Sequence, residues 1–134
     1  MSKNEILIRA THKRLLELFV PTSDKVAFGR EEYWHSFAAE AAAGQSFRGD
    51  CDDFMLTACD ALRAAGVAPA DMWLCAVKTA SGEGHAVLVA EGWLVDNLES
   101  AIWPSNSVAY QWVKAMQAST PGTWMVCVDH RPPA

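Results

Sequence analysis

A lone cysteine stands in the stretch "GDCDDFML", Gly49 to Leu56, with Asp50, Asp52 and Asp53 around it and an apolar run behind it. Asp50 is a capping residue type, so Cys51 falls in the first turn of a helix, where backbone N–H groups lack intrahelical acceptors and the dipole is positive. Both features favour a thiolate, the nucleophilic form of cysteine. The acidic neighbours oppose this only if they point at the sulfur. Successive helical side chains project about 100° apart, so Asp52 and Asp53 can face away while remaining near the positive helix end. A cysteine nucleophile also needs an imidazole within hydrogen-bond reach and a third group to orient that imidazole. Of the four histidines, His12 and His35 lie in polar helical surroundings and His130 in a tail. His85 instead opens an apolar strand after a glycine-rich turn, and Asp96 closes the next strand, with Asn97 beside it. On adjacent antiparallel strands His85 and Asp96 come within reach of each other, which makes Cys51, His85 and Asp96 a candidate relay for acyl transfer from an amide. Cys59, Cys75 and Cys127 lie inside apolar patterns and read as small buried hydrophobes.

The elements that must bring these residues together follow from periodicity and turn chemistry. A first amphipathic helix is expected over Asn4–Phe19, a second over about Arg30–Ala43, and a central third over Cys51–Ala65, closed by Gly66. The period then becomes strand-like: Trp73–Thr79, His85–Glu91 and "GWLVDN" read as strands, the last reached by a tight turn at Glu91-Gly92. A further helix around Ser107–Gln117 and a last strand over Thr123–Asp129 complete the pattern. Helices followed by strands with short connections predict an α+β fold of N-terminal helices packed on an antiparallel sheet, in one domain spanning residues 1–134.

Composition narrows the function classes. Of 134 residues, 51% are hydrophobic and 20% charged, a globular balance. A net charge of −5 argues against nucleic acid as a partner, since phosphate binding needs a concentrated basic face, and the only basic cluster, Arg9 to Arg14, reads as a solvated helix face. No apolar run reaches the roughly 20 residues of a membrane span. The charged amino terminus shows no secretory signal, so a cytoplasmic location is expected. The four cysteines contain no C-x-x-C pair, which disfavours the common zinc sites and, in that compartment, leaves free thiols as the expectation.

The same blocks carry a resemblance. "GDCDDFMLTACDALRAAGV" followed by "GHAVLVAEGWLVDN" resembles the bacterial transglutaminase-like cysteine peptidases, with their Gly-Asp-Cys-acid-Asp helix start, Gly-His-x-Val-Leu strand and Asp-Asn strand end. Trp34 matches a tryptophan upstream of the family's cysteine, and "YQWV" and "GTW" extend the match, which covers roughly Tyr33 to Val128. The resemblance implies a papain-related, transglutaminase-like fold with Cys51 as nucleophile, His85 as base and Asp96 as orienting acid, acting on a protein or peptide substrate. The oxyanion is expected to meet the Cys51 N–H and a side-chain donor, with Trp34 and Gln45 as candidates. Some relatives are calcium-dependent proteases that clip surface adhesins in the periplasm and hold the ion through acids flanking the cysteine. Asp50 and Asp52 occupy those positions, although capping accounts for them without metal. A missing signal peptide and a short chain point to a cytoplasmic or phage-encoded member. Transfer of the acyl group to an amine, a cell-wall amidase, and a binding module that keeps the fold without turnover stand as alternatives.

Overall fold

The computed structural model describes residues 2–22 and 35–133. Helix α1 (Lys3–Leu18) starts at Ser2, whose hydroxyl accepts the Glu5 N–H at 3.0 Å, and buries Ile8, His12 and Leu15 along one stripe. His12 is thus a core residue, 1% exposed, and not part of the polar face its sequence surroundings suggested. A short strand β1 (Phe19–Pro21) follows and pairs in parallel with β2 (Phe47–Gly49), a ladder the local pattern did not announce.

The described part of the expected second helix is helical only toward its end. Residues 30–34 lie outside the described residues; among the described ones, residues 35–37 are not helical and α2 (Ala38–Ala42) forms before Gly44 (φ 76°) turns the chain. The reason is competition: the His35 N–H is drawn to Asp53 Oδ1 at 2.7 Å and the Phe37 N–H to Thr57 Oγ1 at 2.9 Å. Both acceptors belong to the next helix, α3 (Cys51–Ala64), which ends as expected before Gly66 at φ 108°. Its apolar stripe, Phe54, Met55, Ala58 and Leu62, is fully buried.

A six-stranded antiparallel sheet forms the other layer, in the order β6-β5-β4-β3-β7-β8. Its strands are β3 (Met72–Lys78), β4 (Gly84–Ala90), β5 (Trp93–Val95), β6 (Trp103–Pro104), β7 (Gln111–Gln117) and β8 (Trp124–Val126). The turn between β4 and β5 places Glu91 and Gly92 both at positive φ, 49° and 82°, the geometry that joins twisted strands most tightly. Residues 86–90 of β4 are buried without interruption because both sheet faces are covered. On one face Leu74, Leu88 and Ala90 meet Ile8, Leu15, Phe54 and Leu62; on the other, Val77, Val87 and Val89 meet Trp112. Each large apolar side chain so buried contributes about 1.5–3 kcal/mol.

The helix expected over Ser107–Gln117 is a correction: the segment is strand β7 preceded by a 3₁₀ turn at Ser105–Ser107. Val108, Tyr110 and Trp112 alternate as a strand should, but the pairing with β3 shifts register between Ala76 and Val77, so Val113 is inserted as a bulge. The extra residue carries the apolar pattern from Trp112 to Ala115, a three-residue step that imitates a helical period. The last expected strand is also cut to Trp124–Val126, since the chain turns away at Val128–His130 with Asp129 at φ 52° and His130 at φ 55°.

Candidate active site

Cys51 is the first residue of α3 and is half-buried. Asp50 caps the helix: its Oδ1 accepts the Asp52 N–H at 3.0 Å and the Asp53 N–H at 3.3 Å. Asp53 answers from inside, its Oδ2 accepting the Asp50 N–H at 3.1 Å, which completes a capping box. The Cys51 N–H is therefore not consumed by the cap. Asp53 is wholly buried and ties three segments together, since its other oxygen holds the His35 N–H. Glycine precedes the cap for a steric reason: a Cβ on Gly49 would stand 2.6 Å from Asp53 Oδ2 and 2.7 Å from its Cβ. The acidic run in the sequence is thus chiefly helix-start chemistry.

His85, near the start of β4, presents Nε2 to Asp96 Oδ1 at 2.7 Å. Asp96 follows β5 and is fully buried, and its carboxylate also accepts the Leu98 N–H at 3.0 Å and the Tyr110 hydroxyl. Its carbonyl oxygen accepts a hydrogen bond from His12 Nε2 at 2.8 Å, reaching across from α1. Burial alone would raise the Asp96 carboxyl, but the hydrogen bond and charge of His85, with the Leu98 and Tyr110 donors, hold it below its ordinary value. Burial likewise works against the His85 imidazolium, yet hydrogen bonds to Asp96 and Cys51, and the charges of both, push its pKa up to about 9. With Nε2 engaged by Asp96, the nitrogen left for Cys51 is Nδ1. The Tyr110 ring stands edge-on to the imidazole, centroids 5.9 Å apart, and burial with the facing Asp96 raises the phenol well above its ordinary value, keeping it a hydrogen-bond donor.

Cys51 and His85 open into one cleft of about 430 Å³, whose walls come from α3, β3, β4, β7 and β8. Gln45 is exposed and does not line it, and Trp34 lies outside the described residues. Asp52 lines the cleft beside Cys51, but among the described residues no group of three or more His, Cys, Asp or Glu side chains converges as metal ligands do. Of the remaining thiols, Cys75 also borders the cleft but is buried, Cys59 is buried away from it and Cys127 is half-buried away from it, and burial raises the pKa of each. His12, Asp53 and Tyr110 were not singled out from the sequence. Tyr110 heads the "YQWV" block, the one signal that pointed toward it.

A family model described as bacterial transglutaminase-like cysteine proteinase BTLCP matches residues 5–132. No curated protein matches the chain. Among solved structures, Legionella pneumophila LapG superposes with a TM-score of 0.73 at 18% identity, over 94% of this chain and 70% of LapG. An EGTA-treated LapG gives 0.72 at 18% identity, over 92% and 67% of the two chains. A calcium-bound LapG gives 0.66 at 18% identity, over 98% and 77%. At that identity the likeness is one of fold.

Proposed function

Because this chain belongs to the bacterial transglutaminase-like cysteine proteinases, we propose that it hydrolyses a peptide or side-chain amide through a thioester formed on Cys51. The Cys51 thiolate attacks the carbonyl carbon while the His85 imidazolium holds the proton that the leaving amine requires. Collapse of the tetrahedral intermediate breaks the C–N bond, the amine departs with that proton, and the acyl group stays on sulfur. His85, now neutral, takes a proton from water, which attacks the thioester and restores the thiolate and imidazolium. Asp96 keeps the imidazole aimed at the sulfur and stabilises its charge, and the Cys51 N–H, left over by the Asp50 cap, is positioned for the oxyanion.

The observation that carries this reading is the His85–Asp96 hydrogen bond of 2.7 Å in a cleft that His85 shares with Cys51, itself at a capped helix start. Limiting iodoacetamide at neutral pH, followed by peptide mapping, is expected to label Cys51 well ahead of the other three thiols, since Cys59 and Cys75 are buried from the reagent and burial disfavours the thiolate at Cys59, Cys75 and Cys127 alike. Equal labelling of the four would return the chain to the class of binding modules.

Calcium is bound in one of the similar LapG structures. Asp50 and Asp52 offer hard oxygen donors of the type the ion takes, but it wants about six to eight of them. Asp50 Oδ1 already accepts two backbone N–H groups, and no metal-ligand cluster forms among the described residues. These residues do not by themselves build a calcium site, and no step of the mechanism runs through one. Thermal midpoints measured in millimolar calcium and then in excess EGTA are expected to coincide. A calcium-dependent rise that Asp52→Asn abolishes would overturn that expectation and assign the ion to the helix start.

A further inference from the structure

The wall of the cleft opposite α3 ends in a cation whose orientation depends on an irregularity of the sheet. In a regular strand Trp112 and Lys114, two residues apart, would point to the same face. The pairing with β3 prevents this: Trp112 lies opposite Val77 and Lys114 opposite Ala76, with Val113 as the extra residue between them. Trp112 therefore enters the core beside Val77 and Val87, 1% exposed, while Lys114 turns to the α3 face and lines the cleft with Cys51 and His85. Bulges beside functional clefts commonly re-aim a side chain in this way. Strand β8 supplies the surface that holds it. Trp124 pairs with Met116, which packs on the α3-side core, and the Lys114 ammonium lies 4.5 Å from the centroid of the Trp124 ring.

An aromatic face attracts an ammonium without neutralising it. The ion pairs among the described residues are Arg9–Glu5, Arg63–Asp60 and His85–Asp96, so Lys114 has no carboxylate partner there. In a chain of net charge −5, a cation positioned in the cleft without a carboxylate in ion-pair contact, although Asp52 lines the same cleft, is a specific feature. Resting on the peptidase reading above, we propose that Lys114, steadied by Trp124, is a specificity subsite for a carboxylate of the substrate. Ala86, next to His85, and Lys114 are the two cross-strand partners of Ala76. They stand two strand spacings apart, roughly 10 Å, which an extended peptide covers in about three residues. The recognised carboxylate thus lies within about three residues of the bond that Cys51 attacks.

The test is cleavage-site profiling of a mixed peptide library by mass spectrometry, with free and with amidated C-termini, using wild-type protein, Lys114→Met and Lys114→Glu. Wild-type sites are expected to be enriched in Asp and Glu at one position near the cut. Lys114→Met erases the enrichment, Lys114→Glu turns it toward Lys and Arg, and a matched Glu/Gln substrate pair differs roughly three- to tenfold in kcat/KM, mainly through KM. Enrichment that survives amidation assigns the carboxylate to side chains, and enrichment lost on amidation assigns it to the peptide terminus; either supports the subsite. Melting midpoints confirm that both variants fold. Cleavage without acidic preference, or a preference that both variants retain, overturns the proposal and leaves the peptidase reading intact. A panel of peptidyl acyloxymethyl ketones carrying Glu or Gln reads the same preference as alkylation of Cys51 without turnover, and equal rates overturn the subsite. A library left uncut, with Cys51 no more reactive than the other thiols, overturns the reading on which it rests.

Discussion

Cys51→Ala is expected to reduce peptide cleavage to background, a fall of roughly 10⁴-fold or more, as loss of a nucleophile does in comparable relays. The sulfur forms the bond to the acyl group, and neither the imidazole nor the oxyanion donors can supply that atom. Cys59, Cys75 and Cys127 cannot stand in, since the first two are buried and burial raises the pKa of all three. Stability should hardly change. Cys51 is half-buried at a helix start, and the capping box of Asp50 and Asp53 that secures that start does not involve its side chain. A midpoint equivalent to wild type within about 1 kcal/mol, together with lost turnover of a library-derived peptide, is the expected pair of results. Retained turnover would remove the sulfur from the mechanism.

Asp96→Asn tests the opposite end of the relay and carries the second largest effect. Asparagine keeps the shape of the side chain but removes the charge that offsets burial of the His85 imidazolium. In the wild-type protein His85 is pushed up to about 9, so the imidazolium is present through neutral pH and is lost as pH rises through that value. Activity should follow with an alkaline limb near pH 9. Without the carboxylate, burial is opposed by Cys51 alone and the limb should move down from about 9 toward the ordinary value of 6.5, with kcat at pH 8 lower by roughly 10²–10⁴-fold. A variant whose limb stays near 9 would show that Asp96 does not set the charge of His85.

Stability carries the same signs. His85, raised in the folded state, adds stability that is complete below its ordinary 6.5 and is lost as pH rises through about 9. Asp96, lowered in the folded state, adds stability that is present above its ordinary 3.8 and is lost as pH falls through its lowered value. Wild-type melting midpoints should therefore decline from pH 6.5 toward 9, and the Asp96→Asn profile should be flatter over that window.

Local chemistry made the heart of the site legible in the sequence. The cap at Asp50, the apolar stripe of α3 and the stop at Gly66 all lie within one segment, so they specified a helix with Cys51 at its head. Strands β3 to β5 were equally readable, because alternation and the Glu91-Gly92 turn fix neighbouring strands and their direction, and with them the approach of His85 to Asp96. Strand β7 was misread because the Val113 bulge, which exists only through pairing with β3, gives the apolar residues a nearly helical spacing. The bond from His12 to the Asp96 carbonyl joins residues 84 apart, and Asp53 reaches back 18 residues to His35. The sequence by itself determined which residue types stand at the helix start and the strand ends. Tertiary structure decided which groups hold Asp96 in place and which way Lys114 points, because those contacts arise from layers packing together and leave no periodic mark on the chain.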